Sequence, residues 1–127
     1  MTIAPSTGRT GAPHANLPPQ FTSFVGRATE LDDLARLLLD PVCRLVTVTG
    51  QGGIGKTRLA IEVARRLAAH SVAETTFADG IWFVPLQAIN SAERLVSGIA
   101  EALHLPPPGT ADAHDHLLAC LGNLQLL

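Results

Sequence analysis

Lysine is almost missing from this chain: eight of its nine basic residues are arginine, and Lys56 is the exception. Charged residues of both signs make up only 16 %, and a formal net charge of −2 offers no basic field for neutralising nucleic-acid phosphates. Arg65-Arg66, the one adjacent basic pair, reads as the solvated side of a helix. Cysteine occurs twice, at Cys43 and Cys120, too far apart for a metal or redox spacing. Two buried thiols in a reducing cytoplasm are the expectation. Aromatic residues are scarce at 4 %, yet a hydrophobic content of 46 % over 127 residues suffices for one modest globular core. No apolar run approaches the ~18 residues of a membrane span, and the first twenty residues carry no apolar stretch of the signal-peptide kind. Together these absences predict a soluble, cytoplasmic single domain without membrane or direct nucleic-acid partners.

What the chain does contain is an alternation of short apolar runs and amphipathic stretches. Residues 1–20 are rich in Pro, Gly, Thr, Ser and Ala and read as a disordered leader, with order beginning near Phe21. "TELDDLARLLLDP" predicts a helix capped by Thr29, with Asp32 in the reciprocal place, Leu31, Leu34, Ala35 and Leu38 on one face, and Asp40-Pro41 as its stop. "RLVTVTG", 44–50, is a β-branched run closed by glycine and predicts a strand. "KTRLAIEVARRLAAH" predicts a helix with Leu59, Val63 and Leu67 backed by Ala60 and Ala64. After a loop over 71–80, "IWFVPL", 81–86, reads as a strand buried on both faces. "NSAERLVSGIAEALHL" predicts a helix capped by Asn90 with Glu93, its stripe formed by Leu95, Ile99, Ala102 and Leu103. "PPPG", 106–109, is a stiff linker, "ADAHDHLLACL" a further helix, and "LQLL", 124–127, the start of a strand. Strands alternating with helices predict an α/β fold, a three-layer α/β/α arrangement around a mainly parallel sheet.

Between the first predicted strand and the second predicted helix stands "GQGGIGKT", residues 50–57. It fits G-x-x-x-x-G-K-[ST], the phosphate-binding or Walker A loop, with a strand running in and a helix running out. Glycines at 50, 52, 53 and 55 permit backbone angles closed to other residues and let the main chain approach phosphates closely. The amides of Ile54, Gly55, Lys56, Thr57 and Arg58, with the positive end of the helix, form an anion cradle. Lys56 places an ammonium between the β- and γ-phosphates, and the Thr57 hydroxyl is a ligand for Mg²⁺. The single lysine then has a reason: a compact ammonium fits inside a tight loop where a planar guanidinium does not.

"FTSFVGRATELDDLARLL", followed by "RLVTVTGQGGIGKTRLAIEVA" and "DGIWFVPL", resembles the nucleotide-binding domain of STAND (NB-ARC-like) P-loop ATPases. The nearest likeness is to the bacterial kind attached to SARP- and LuxR-type transcriptional regulators, and it covers about residues 17–127. It implies that residues 21–127 are the N-terminal part of such a domain, binding ATP or ADP with Mg²⁺ as a regulatory switch. It also implies that Val25, Gly26 and Arg27 lie across the adenine, partly through backbone groups. The family often has an acidic residue directly after this arginine and another two later; here Ala28 replaces the first and Glu30 keeps the second. A non-hydrolysing nucleotide-binding or interaction fragment, or a P-loop small-molecule kinase, are the alternatives. Against the kinase, residues 58–127 show no evident substrate-binding cluster of arginines.

Hydrolysis also needs an acid for the metal and an oriented water. Asp40 follows helically spaced leucines and Asp79 lies at the start of its predicted strand, so neither is placed for that role. The resemblance places the Walker B strand at "LQLL", with its acid beyond Leu127; the expectation is therefore a fragment cut at that strand, lacking C-terminal domains and open to self-association through an unpaired edge. His114-Asp115-His116 is no metal motif, because residues two apart do not share a helix face. The purified chain is accordingly expected to release no phosphate from ATP at ordinary enzymatic rates, about 1 s⁻¹ and above. Turnover at such a rate, abolished by Lys56→Ala, would assign Asp40 or Asp79 to the metal instead.

Overall fold

Leucine spacing decides which helix surfaces leave solvent. The computed structural model describes residues 14–70 and 75–127, and its complete helices there are α1 (Ala28–Leu39), α2 (Lys56–Ala68), α3 (Ala92–Ala102) and α4 (Ala113–Leu121). Leu31 of α1, at 1 % exposure, meets Leu59, Val63, Ala64 and Leu67 of α2, and Phe77 and Ile81 complete the buried cluster. Leu34, Ala35 and Leu38 pack around it, so the predicted faces of both helices are the faces that are buried. In α3 the predicted stripe is shallower. None of that helix is fully buried, Leu95 stays 38 % exposed, and only Leu103, just beyond the helix, is buried. α3 packs with α4, which contributes Leu117 to the interior.

Two helix starts differ from the sequence expectation. α1 begins after Arg27, which adopts a left-handed conformation at φ 56° directly behind Gly26 at φ 78°; Thr29 lies inside the helix and no side chain caps it. α3 is capped by Ser91 rather than Asn90, because Ser91 is the extended residue whose hydroxyl accepts the Arg94 N–H at 3.3 Å.

The expected parallel sheet, and with it the three-layer α/β/α fold truncated at a Walker B strand, is not what forms. Among the described residues there is no strand, only two single-residue parallel pairings, Ala15 with Ile81 and Gly80 with Leu126. Residues 44–50 form neither helix nor strand but show a strand's alternation of burial, with Val46 and Val48 half-buried while Leu45 is 84 % exposed. Yet no backbone hydrogen bond joins residues 44–49 to another segment among the described residues. β-propensity favours an extended chain; a sheet also requires a partner edge in register.

At residues 79–83 the pairing does start and then stops. Ile81 N–H donates to His14 O (2.8 Å), and Trp82 N–H to Leu127 O (2.7 Å). The side-chain amide of Asn16 then takes over both backbone groups of Phe83. Pro18 and Pro19 follow it without N–H groups and Pro85 closes the other run, so the ladder cannot lengthen. Gly80 is required here, since a Cβ would stand 2.4 Å from His14 O. Residues 14–20, included in the leader by composition, are thus tied down: Leu17 packs on the core and Pro18 O accepts from Arg65. The first 13 residues of that leader lie outside the described residues.

Truncating Leu31 is expected to destabilise the chain by about 2–5 kcal/mol, whereas truncating Leu37, 48 % exposed on the same helix, is expected to cost within about 0.5 kcal/mol. Urea midpoints of Leu31→Ala and Leu37→Ala test this; equal midpoints would remove Leu31 from the core.

Candidate functional site

The segment 50–57 turns sharply into α2. Gly50, Gly53 and Gly55 all have positive φ, and Gly55, at φ 86°, is the residue from which the helix departs. A side chain at Gly55 would meet nothing within 4 Å, so the need for glycine there is conformational rather than a matter of space. No side chain caps α2, and its first turn contains no acid. The other three helices carry Glu30, Glu93 and Asp115 in theirs. The first-turn N–H groups of α2 are therefore left without a side-chain cap, and the positive end of the helix without a first-turn acid.

Lys56 Nζ donates to Gly50 O (2.8 Å) and Gln51 O (2.7 Å), which places the ammonium over the loop it follows. Thr57 is exposed on the first turn. Gly52 is exposed in the bend, and Ile54 is 46 % exposed.

A pocket of about 210 Å³ brings the two sequence-predicted segments together. Phe24, Val25 and Arg27 line one side, Gly53, Ile54 and Gly55 the other, and Arg58 is shared. Val25 is 87 % exposed at its rim, and Gly26 supplies the bend between Val25 and Arg27. Lys56 and Thr57 do not line this pocket. Arg58, whose amide the sequence places in the cradle, turns its guanidinium toward the other segment. Nη2 donates to Thr22 O (2.7 Å) and Ser23 O (2.8 Å), Cζ lies 5.9 Å from the Phe24 ring centroid, and Nε is buried without a partner. Thr22 and Ser23 had no sequence signal, since a contact through backbone carbonyls between residues 35 and 36 positions apart leaves no pattern in side-chain types.

The acids set aside as metal ligands have other work. Asp40 accepts the Val42 N–H (2.9 Å), and Asp79 accepts that of Gln125 (2.7 Å) while donating its own N–H to Gln125 O (2.9 Å). Asp112, His114 and Asp115 bring ligand atoms within 4.8 Å of one another, but all three are exposed and Asp112 caps α4. Both cysteines are half-buried rather than buried, Cys120 lying 3.6 Å from His116 Nε2. Among the described residues no helix is long and apolar enough to cross a membrane.

Comparison with known proteins gives this geometry a family. The model of the AAA ATPase domain matches residues 23–125. An uncharacterized protein of Mycobacterium tuberculosis (strain ATCC 25618 / H37Rv) is 36 % identical over 107 residues, covering 84 % of this chain and 25 % of that protein. A putative HTH-type transcriptional regulator of the same strain is 36 % identical over 84 residues, 66 % of this chain and 9 % of the regulator. An uncharacterized WD repeat-containing protein of Nostoc sp. (strain PCC 7120 / SAG 25.82 / UTEX 2576) is 43 % identical over 49 residues, 39 % of this chain and 4 % of that protein. The chain thus spans about a quarter of the first of these relatives and a smaller share of the others. No solved structure matches it. The family match runs from the segment before α1, through the glycine-rich loop, to the residues after α4, and the chain belongs to the AAA ATPase domain family of P-loop NTPases.

Proposed function

We propose that this chain binds an adenine nucleotide, ATP or ADP, at the 50–57 loop and the N-terminus of α2, as the nucleotide-switch domain of a STAND-type regulatory ATPase. The observation that carries the reading is the start of α2. It alone among the described helices lacks both a side-chain cap and a first-turn acid, and it follows a glycine-rich bend that holds the only lysine of the chain. An anion of several charges suits this start: uncapped amides supply donors, the helix end supplies partial positive charge, and the ammonium is already over the loop. In this reading the phosphates replace the Gly50 and Gln51 carbonyls as partners of Lys56 Nζ. The exposed Thr57 hydroxyl is the group assigned to Mg²⁺, which when bound neutralises phosphate charge. Val25 and Arg27 line the adjoining pocket, with Gly26 as the bend between them, and in this reading a base attached to those phosphates extends there. The regulatory role rests on the family and on a relative named as a putative HTH-type transcriptional regulator.

Lys56→Ala is expected to remove a charge-assisted contact of about 1.5–3 kcal/mol, a ten- to hundred-fold loss of ADP affinity. Because Lys56 also ties the loop carbonyls, the comparison requires circular dichroism showing the variant folded. Titration of wild type and variant with equal affinity would sink the assignment. Lys56→Arg is expected to bind more weakly than wild type as well, because the guanidinium is too broad for the loop.

A competition series tests the base. ATP and ADP are expected to displace a bound fluorescent adenine nucleotide at lower concentration than GTP does. Equal displacement by adenine and guanine nucleotides would leave a generic phosphate site and remove the role given to residues 25–27.

A further inference from the structure

We propose that Arg58 is a positioning residue for base recognition: its side chain holds the 22–27 segment against the phosphate loop and does not contact the phosphates. The proposal rests on the nucleotide reading above and goes beyond it. Arg58 stands on the first turn of α2, two residues after Lys56, where its side chain could have turned toward the loop mouth. Instead Nη2 donates to Thr22 O at 2.7 Å and Ser23 O at 2.8 Å, which commits both protons of that nitrogen. The guanidinium carbon lies 5.9 Å from the centre of the Phe24 ring, within reach of a cation–π contact. A lysine could reach neither the fork geometry nor the stacked plane together.

The mechanical consequence follows from where the segment is fixed. Downstream of the bend, Arg27 O accepts the Leu31 N–H (3.0 Å), which anchors the segment to α1. Upstream, the two carbonyl contacts of Arg58 anchor it to α2. Val25, Gly26 and Arg27 are the short span between these anchors, and two of them already occupy left-handed conformations. Arg58 also lines the pocket that Val25 and Arg27 share with Gly53, Ile54 and Gly55. Releasing it frees the base-side wall while leaving the loop, Lys56 and the α2 amides in place. The loop alone then still holds phosphates, but the wall that distinguishes one base from another is no longer held.

The test separates the phosphate part of binding from the base part. Arg58→Met keeps an aliphatic stem over Phe24 and removes the guanidinium. Calorimetric titrations of the full chain with ADP and with inorganic tripolyphosphate are expected to show ADP weakened by about tenfold and tripolyphosphate unchanged. The preference for ATP over GTP is expected to shrink, and amide exchange of Ser23 to Arg27 to accelerate while that of the α2 interior stays as in wild type. A merely structural role would lower both affinities and α2 protection together. Arg58→Lys, the variant to use if Arg58→Met does not fold, is expected to move every readout in the same direction by less. Parallel loss of ADP and tripolyphosphate would overturn the proposal, and with α2 protection unchanged it would put the Arg58 side chain on the phosphates; unchanged ADP affinity would overturn it outright. A wild-type chain that binds neither ligand would overturn the nucleotide reading itself, and this proposal with it.

Discussion

The contact of Leu59, Val63, Ala64 and Leu67 with Leu31 fixes α2 against α1, and the candidate site is built on what that contact leaves exposed. A helix packed along one face still presents unsatisfied N–H groups at its start. In α1, α3 and α4 an acidic residue in the first turn offsets the positive end. α2 has no such residue and begins instead from Gly55, after a bend built from positive-φ glycines. Burial of the helix side and openness of the helix end are therefore coupled: the core holds the amides still, and the loop keeps them uncovered.

The same packing positions the second half of the site. Residues 22–24 reach α2 through Phe24, which lies against the core, and through Thr22 and Ser23, whose carbonyls meet Arg58. A left-handed pair, Gly26 and Arg27, then turns the chain into α1. A non-glycine residue in that conformation carries a penalty of roughly 1–2 kcal/mol, and it is held because both flanks are anchored. The pocket that Phe24, Val25 and Arg27 form with Gly53, Ile54, Gly55 and Arg58 exists because α1 and α2 are neighbours, each carrying its own preceding turn to the same place.

Away from the site, the extended runs show how far a hydrophobic pattern goes without a partner. Residues 44–50 alternate like a strand over the helices, and residues 79–83 are bonded to 14–16 on one flank and to 125–127 on the other. Neither becomes a ladder among the described residues. In the second case the reason is chemical and local: the Asn16 amide substitutes for a backbone partner, Asp79 takes the Gln125 N–H, and prolines at 18, 19 and 85 offer no donor. Membership in a P-loop NTPase family is carried by the match over residues 23–125, not by a sheet.

Local chemistry was legible in the residues alone. The buried faces of α1 and α2 follow from leucine and alanine spacing, and the bend before α2 follows from four glycines, because these are properties of one segment and its period. The lone lysine marked its own place for the same reason. Long-range relations were not legible. Nothing in residues 44–50 states whether another edge will pair with them, since β-branched residues favour extension and not a particular neighbour. Nothing in "FTSF" states that its carbonyls meet Arg58, because every residue carries the same carbonyl. The Arg58 contact depends on α1 packing on α2, which brings a side chain together with carbonyls 35 and 36 positions away.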